Sequence, residues 1–306
     1  MKRNWYAGSA LESALDPDER RGLKRFEMLC RHFASLERLV EGEVRFALPT
    51  DTAARSSMLE GTAARQGEQL ADLERKRLNL GQDPLDDVVS VLDGMGIKVV
   101  CVRLPSTSRV SGGFFFDSAV GPCIMVNCSM PPEEQMVAAA HEYCHFVADY
   151  NPYLPRLCSC GAPPGDDESE VKAAGFAGAF LLPGGSLEQL FSGNNGVGTD
   201  EAAIQALGVY YGVPMWAVAH RLETMGLEVE YFPEDYPASG PDSVDGSLAD
   251  LPRRMVRLAL EARAGGLVTP RRMARLLQME QARAEGLFAY FTESNERERD
   301  SKAQDG

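Results

Sequence analysis

Histidine and tryptophan are scarce in this chain of 306 residues, at four and two, and no apolar run reaches the ~20 residues a membrane-spanning helix needs. The longest uncharged stretch near the centre, residues 173–187, is broken by Gly and Pro. Positive charge is also short: 31 Lys+Arg against 45 Asp+Glu leave a formal net charge of −14. That balance argues against sequence-blind binding to nucleic acid or an anionic membrane, while leaving room for a local basic patch. The seven cysteines include no C-x-x-C pair, and their odd number fits a reduced chain better than a disulfide scaffold. The opening residues, MKRNWYAGSALESALDPDE, lack the apolar core of a signal peptide. Together these absences predict a cytoplasmic protein that engages no membrane.

The length suggests about two domains, and a composition 44% hydrophobic and 25% charged is that of an ordinary globular protein. Apolar residues at Leu23, Phe26, Leu29, Cys30, Phe33, Leu36, Leu39 and Val40 predict an amphipathic helix over 22–41. A polar helix follows over about 57–80. A short helix comes next, with Asp83 as N-cap, Pro84 in its first turn and Gly94 as its stop. Ile97–Arg103, Gly112–Phe116 and Cys123–Cys128 read as three strands. A helix then begins at Pro131-Pro132 and runs to Tyr150. Another spans about 166–183, and a pair near 199–211 and 214–226 hinges at Gly212-Val213. That pair reads as a helical cap or as a helix-turn-helix. Residues 233–250 have linker composition, and 251–292 form a last helical unit with a frayed tail.

Half of the histidines fall within His141-Glu142-Tyr143-Cys144-His145, an H-E-x-x-H pattern in mid-helix. Residues four apart share a helix face, so both imidazoles can reach one Zn²⁺. Glu142 can then serve as general base and acid toward a water molecule. A third ligand is needed. Asp149 lies about 12 Å along the helix from His141, too far to share an ion. Cys144 would crowd one turn with three ligands. Glu170, Glu168 and the Cys158/Cys160 loop remain as alternatives. His32 and His220 read as ordinary helix residues and Tyr143 as packing. Among groups that could stabilise an oxyanion, only His220 offers itself, weakly.

From about Leu70 to Leu227 the sequence resembles the ImmA/IrrE family of metallo-endopeptidases. The resemblance rests on HEYCH, on the helix and strand over Leu85–Val102, on the Leu104-Pro105 turn and on CIMVN. It also rests on Glu170-Val171-Lys172-Ala173 with Phe176-Ala177 and Leu181-Leu182-Pro183. It implies Glu170 as the third ligand, because that residue stands three before Ala173 and six before Phe176. It further implies zinc as the metal and a transcriptional repressor of the Xre type as protein substrate. Cys144 departs from the family, standing where Gly is common, and so does Ala174, where Asn is common.

The expected fold is α+β: a small zincin-like sheet with an HExxH helix, a helical N-terminal arm and a helical, HTH-like C-terminal unit. The expected division is an arm over 1–57, a metallopeptidase domain over 58–232 with a cap at 199–226, a linker over 233–250 and the last unit over 251–306. CIMVNC is expected to be an edge strand onto which an extended peptide adds, or else a core strand. Seven Arg against one Glu over 251–275 suit contact with DNA or an acidic partner, or the solvated face of a bundle. The rival to the peptidase is a regulator that binds a repressor, toxin or DNA and cleaves nothing, with a structural or vestigial metal site.

Overall fold

The computed structural model describes residues 15–47, 59–148, 156–158, 167–192, 198–229 and 251–304. The fold is α+β. The chain passes through helices α1 (Pro17–Val40), α2 (Ala63–Arg77) and α3 (Val88–Gly94), then strands β1 (Lys98–Val102), β2 (Gly112–Asp117) and β3 (Gly121–Asn127). Helix α4 (Pro132–Ala148), the short strand β4 (Arg156–Cys158) and helices α5 (Glu168–Leu181), α6 (Gly184–Ser192), α7 (Glu201–Tyr211) and α8 (Met215–Thr224) follow. Helices α9 (Arg253–Ala264), α10 (Pro270–Leu276) and α11 (Gln281–Gln304) complete the order.

The sheet is mixed, in the order β1-β3-β2-β4, with β3 parallel to β1 and antiparallel to β2. Because side chains alternate along a strand, each strand feeds two cores. Val99, Phe114, Ile124 and Val126 face α2–α8, and Phe114 meets Phe146 of α4 at 5.5 Å between ring centroids. Val100, Val102, Phe115, Cys123 and Met125 face α1, α9 and α10, and Phe26 of α1 lies 5.0 Å from Phe115. The sheet is thus the middle of three layers. Residues 17–40 and 253–277, far apart in sequence, close the same core.

Several details depart from the sequence reading. β3 is buried along its whole length between two partners, so CIMVN is an inner strand and no peptide can add to it. Its neighbours are β1, an edge of the sheet, and β2, whose residues Gly112–Phe114 pair in turn with β4. The N-cap of α3 is Asp87, which accepts the Ser90 N–H, and not Asp83. The Asp83 carbonyl instead accepts from Arg75 Nη2 at 2.6 Å. α6 was not anticipated, and α11 continues helically to Gln304 through the segment expected to fray. The expected linker over 233–250 lies outside the described residues.

Two glycines let α2 and α5 cross almost backbone to backbone. A Cβ at Gly67 would stand 2.0 Å from the Lys172 carbonyl oxygen, and one at Gly175 would stand 2.4 Å from that of Ala64. Below the crossing, the Tyr143 hydroxyl of α4 donates to Glu74 of α2 at 2.5 Å and accepts from Arg77 at 3.0 Å. Burial and the neighbouring Glu74 carboxylate push this phenol far above its ordinary pKa, so it remains a donor. One helix therefore locates both α4 and α5. α7 and α8 are bent by 105° at Gly212, whose φ of 65° suits a residue without Cβ. That angle is within the helix-turn-helix range. However, Ala217, Val218, Ala219 and Leu222 of the second helix are buried in the domain, so the pair acts as a cap.

Candidate metal centre

His141 and His145 sit one turn apart on α4, and Glu170 enters from the first turn of α5. The α2 crossing fixes the distance between these helices. His141 Nε2 lies 3.1 Å from Glu170 Oε2, His145 Nε2 lies 3.3 Å from His141 Nε2, and 3.4 Å separates His145 Nε2 from Glu170 Oε1. Among the described residues these three form the group able to hold a metal ion. Ligands about 2.0–2.1 Å from a tetrahedral ion stand roughly 3.3 Å from one another, so the donor set fits a zinc-like ion without rearrangement. His145 is fully buried, whereas the side chains of His141 and Glu170 are 15% and 26% exposed. The centre is therefore walled by protein on the His145 side and open on the other, as a catalytic site with a vacant coordination position requires.

Burial alone would raise the Glu170 carboxyl. Hydrogen bonds from both imidazoles, and then their charges, outweigh it and hold the group well below the usual carboxylate range. The second ring nitrogen of His145 lies 3.4 Å from the Ser169 hydroxyl, a long contact that orients the ring. Ser169 went unnoticed in the sequence. Its only signal is adjacency to Glu170.

Glu142 is buried and points toward β2. A Cβ at Gly112 would come within 2.8 Å of its Oε1, so the absent side chain at 112 makes the space the carboxylate occupies. Cys144 is buried in the core and is not among the three donors. Glu168 is exposed at the start of α5 and is not among them. Of the other candidates, Asp149 and Cys160 lie outside the described residues, and of Cys158 only the backbone is described. His220 is exposed on α8 and outside the donor group. The Nδ1 atom of His32 lies 3.0 Å from the Leu276 carbonyl, joining α1 to α10.

The arginine cluster divides. Arg254 is drawn inward to Glu37, Glu41 and Asp93, Arg257 pairs with Glu261, and Arg263 covers the Phe288 ring at 5.0 Å. Arg253, Arg271, Arg272 and Arg275 are exposed. No single helix among the described residues is long and apolar enough to cross a membrane.

No curated protein matches the chain. Residues 94–223 match the family model Peptidase_M78, described as the IrrE N-terminal-like domain, and the match contains His141, Glu142, His145 and Glu170. The match suggests a metallopeptidase-type function for this part of the chain, which is similar to the IrrE N-terminal-like domain.

Proposed function

We propose that the chain is a zinc-dependent endopeptidase and that its substrate is a protein, a transcriptional repressor of the Xre type. The observation that carries the reading is the convergence of two Nε2 atoms and one carboxylate at 3.1–3.4 Å, with a buried glutamate beside them. His141, His145 and Glu170 would hold the ion. When bound, the ion supplies Lewis acidity toward water and the scissile carbonyl. Glu142 does the proton work: its carboxylate takes a proton from the attacking water as the new C–O bond forms. It then delivers that proton to the amide nitrogen as the C–N bond breaks. Its burial keeps bulk water from competing for the proton.

Glu142→Gln keeps the shape of the side chain and removes the base. With a purified Xre-type repressor as substrate, the variant is expected to retain its zinc and to lose at least 10²-fold in cleavage rate. A purified protein without zinc, or undiminished cleavage by the variant, refutes the reading. The second reading, a regulator that binds DNA or an acidic partner without cleaving, draws on Arg271, Arg272 and Arg275, exposed on α10. It also draws on the turn into α11 at Gln278, whose φ is 53°. Equal regulatory effect of wild type and Glu142→Gln would favour it.

A further inference from the structure

A second concavity lies apart from the metal centre, between α2, α6 and α8, with a volume of about 840 Å³. Residues 68, 72, 75, 76 and 79 of α2 and its C-terminal turn face it as one helical stripe, whereas Glu74 and Arg77 face α4. The size is that of a small-molecule pocket.

Its inner wall carries Arg221, whose side chain is 7% exposed. Nη1 donates to Glu68 at 2.7 Å and Nε to the Leu182 carbonyl at 3.2 Å. Nη2 has no hydrogen-bond partner among the described residues, and the side chain lines the cavity. A Cβ at Gly184 would stand 3.3 Å from that nitrogen, so a glycine leaves the outer edge of the guanidinium uncovered. Gly184 and Gly185 open α6, a helix of nine residues, and both line the cavity. The Ser186 N–H is taken by the Pro183 carbonyl, which leaves the first-turn N–H groups of Gly184 and Gly185, and the helix dipole favours negative charge there. The outer edge of a guanidinium and a helix N-terminus thus face one space.

The surrounding charge agrees. Arg65, Arg75, Lys76 and Arg221 line the cavity with Glu68, Asp72 and Glu188. Glu68 is already held by Arg65 and Arg221, both at 2.7 Å. Arg75 spends its donors on the carbonyls of Gly81, Phe180 and Asp83, with no carboxylate in hydrogen-bond reach. Its charge is offset in part by the Asp72 and Asp83 carboxylates, which act on it at longer range. Phe191, Met225 and Leu227 supply an apolar side.

We propose that this cavity binds a small organic anion. Its carboxylate or phosphate lies against Arg221 Nη2 and the first turn of α6, and its apolar body lies against Phe191, Met225 and Leu227. The site goes beyond the peptidase reading and does not depend on it, because binding is measured with no substrate present. Full-length protein is titrated calorimetrically with phenyl phosphate, benzoate and the neutral benzyl alcohol. At least one of the two anions is expected to bind, which identifies the head group, and benzyl alcohol is expected not to bind. Gly184→Val, which puts bulk before Nη2 while keeping the charge, is expected to raise Kd at least tenfold. Lys76→Glu, at an exposed rim position where folding is not at stake, is expected to raise it about fivefold. Failure of both anions to bind, equal binding of benzyl alcohol, or unchanged affinity in the folded variants overturns the proposal.

Discussion

Gly112 is the residue on which the position of Glu142, the proposed general base, turns. Its missing side chain is the space that Glu142 fills, since an added methyl group would press on Oε1 at 2.8 Å and on Cγ at 3.0 Å. Displacing a proton-transfer group by about 1 Å can cost on the order of 10²-fold in rate. Gly112→Ala is therefore expected to lower kcat by about that factor while leaving the zinc content intact, because no metal ligand touches residue 112. Activity assays paired with metal analysis check this, and loss of zinc together with rate would show that the substitution disturbs α4 as a whole. The two histidines are legible in the sequence, since i,i+4 spacing on a helix is a local property, whereas Glu170 stands out from its alternatives only through the family resemblance. Gly112 is not legible, because nothing local says that a strand glycine thirty positions earlier will face the motif.

At the level of elements, α2 determines how far α5 stands from α4, and so where Glu170 meets the two histidines. It does this through glycine-mediated contact on α5 and the Tyr143–Glu74–Arg77 hydrogen bonds on α4. Gly67→Ala would bring a methyl group to 2.0 Å from the Lys172 carbonyl oxygen, a backbone atom that cannot swing aside. The helices must part. Overpacking of this kind typically costs about 1–3 kcal/mol. The expected result is a lower denaturation midpoint and, because Glu170 moves with α5, at least tenfold weaker zinc affinity in a chelator competition. A stability loss with unchanged zinc affinity would show that α5 does not move as a unit. The same level explains what the sequence reading missed. Helix spacing and strand alternation are written locally, so α4, α5 and β1–β3 were readable almost to their ends. The order β1-β3-β2 depends on pairings between distant segments, and so CIMVN looked as much like an edge as a core strand. α2, lying before residues 94–223, reads in the sequence only as a polar helix, because its two functions rest on partners in α4 and α5.

Across the whole molecule, the N- and C-terminal helices do not hang from the central sheet but close its second face. Leu23, Phe26, Leu29 and Phe33 of α1 meet Met255, Leu258 and Ala259 of α9 over Val100, Phe115 and Met125. Charge crosses the same junction. Lys98 of β1 and Glu37 of α1, both fully buried, pair at 2.9 Å, and Arg254 of α9 reaches Glu37 at 2.8 Å and Glu41 at 2.9 Å. Two cations around one buried carboxylate make each partner costly to lose, because an uncompensated buried charge is worth about 3–5 kcal/mol. Glu37→Ala leaves Lys98 and Arg254 facing each other without their anion and is expected to destabilise the protein by about that amount. Removing residues 251–306 strips α9 to α11 from the apolar face and leaves Glu37 with one partner. That truncated chain is expected to lose cooperative unfolding and to bind a hydrophobic dye, even though the HEYCH helix, Glu170 and the whole matched domain remain in it. If the truncated chain instead unfolds cooperatively with its zinc in place, the part that carries the metal centre is a self-sufficient domain and the shared core is an accessory interface. The difference decides how signals could reach the metal centre: through a joint that can open, or through a single body whose stability the terminal helices set.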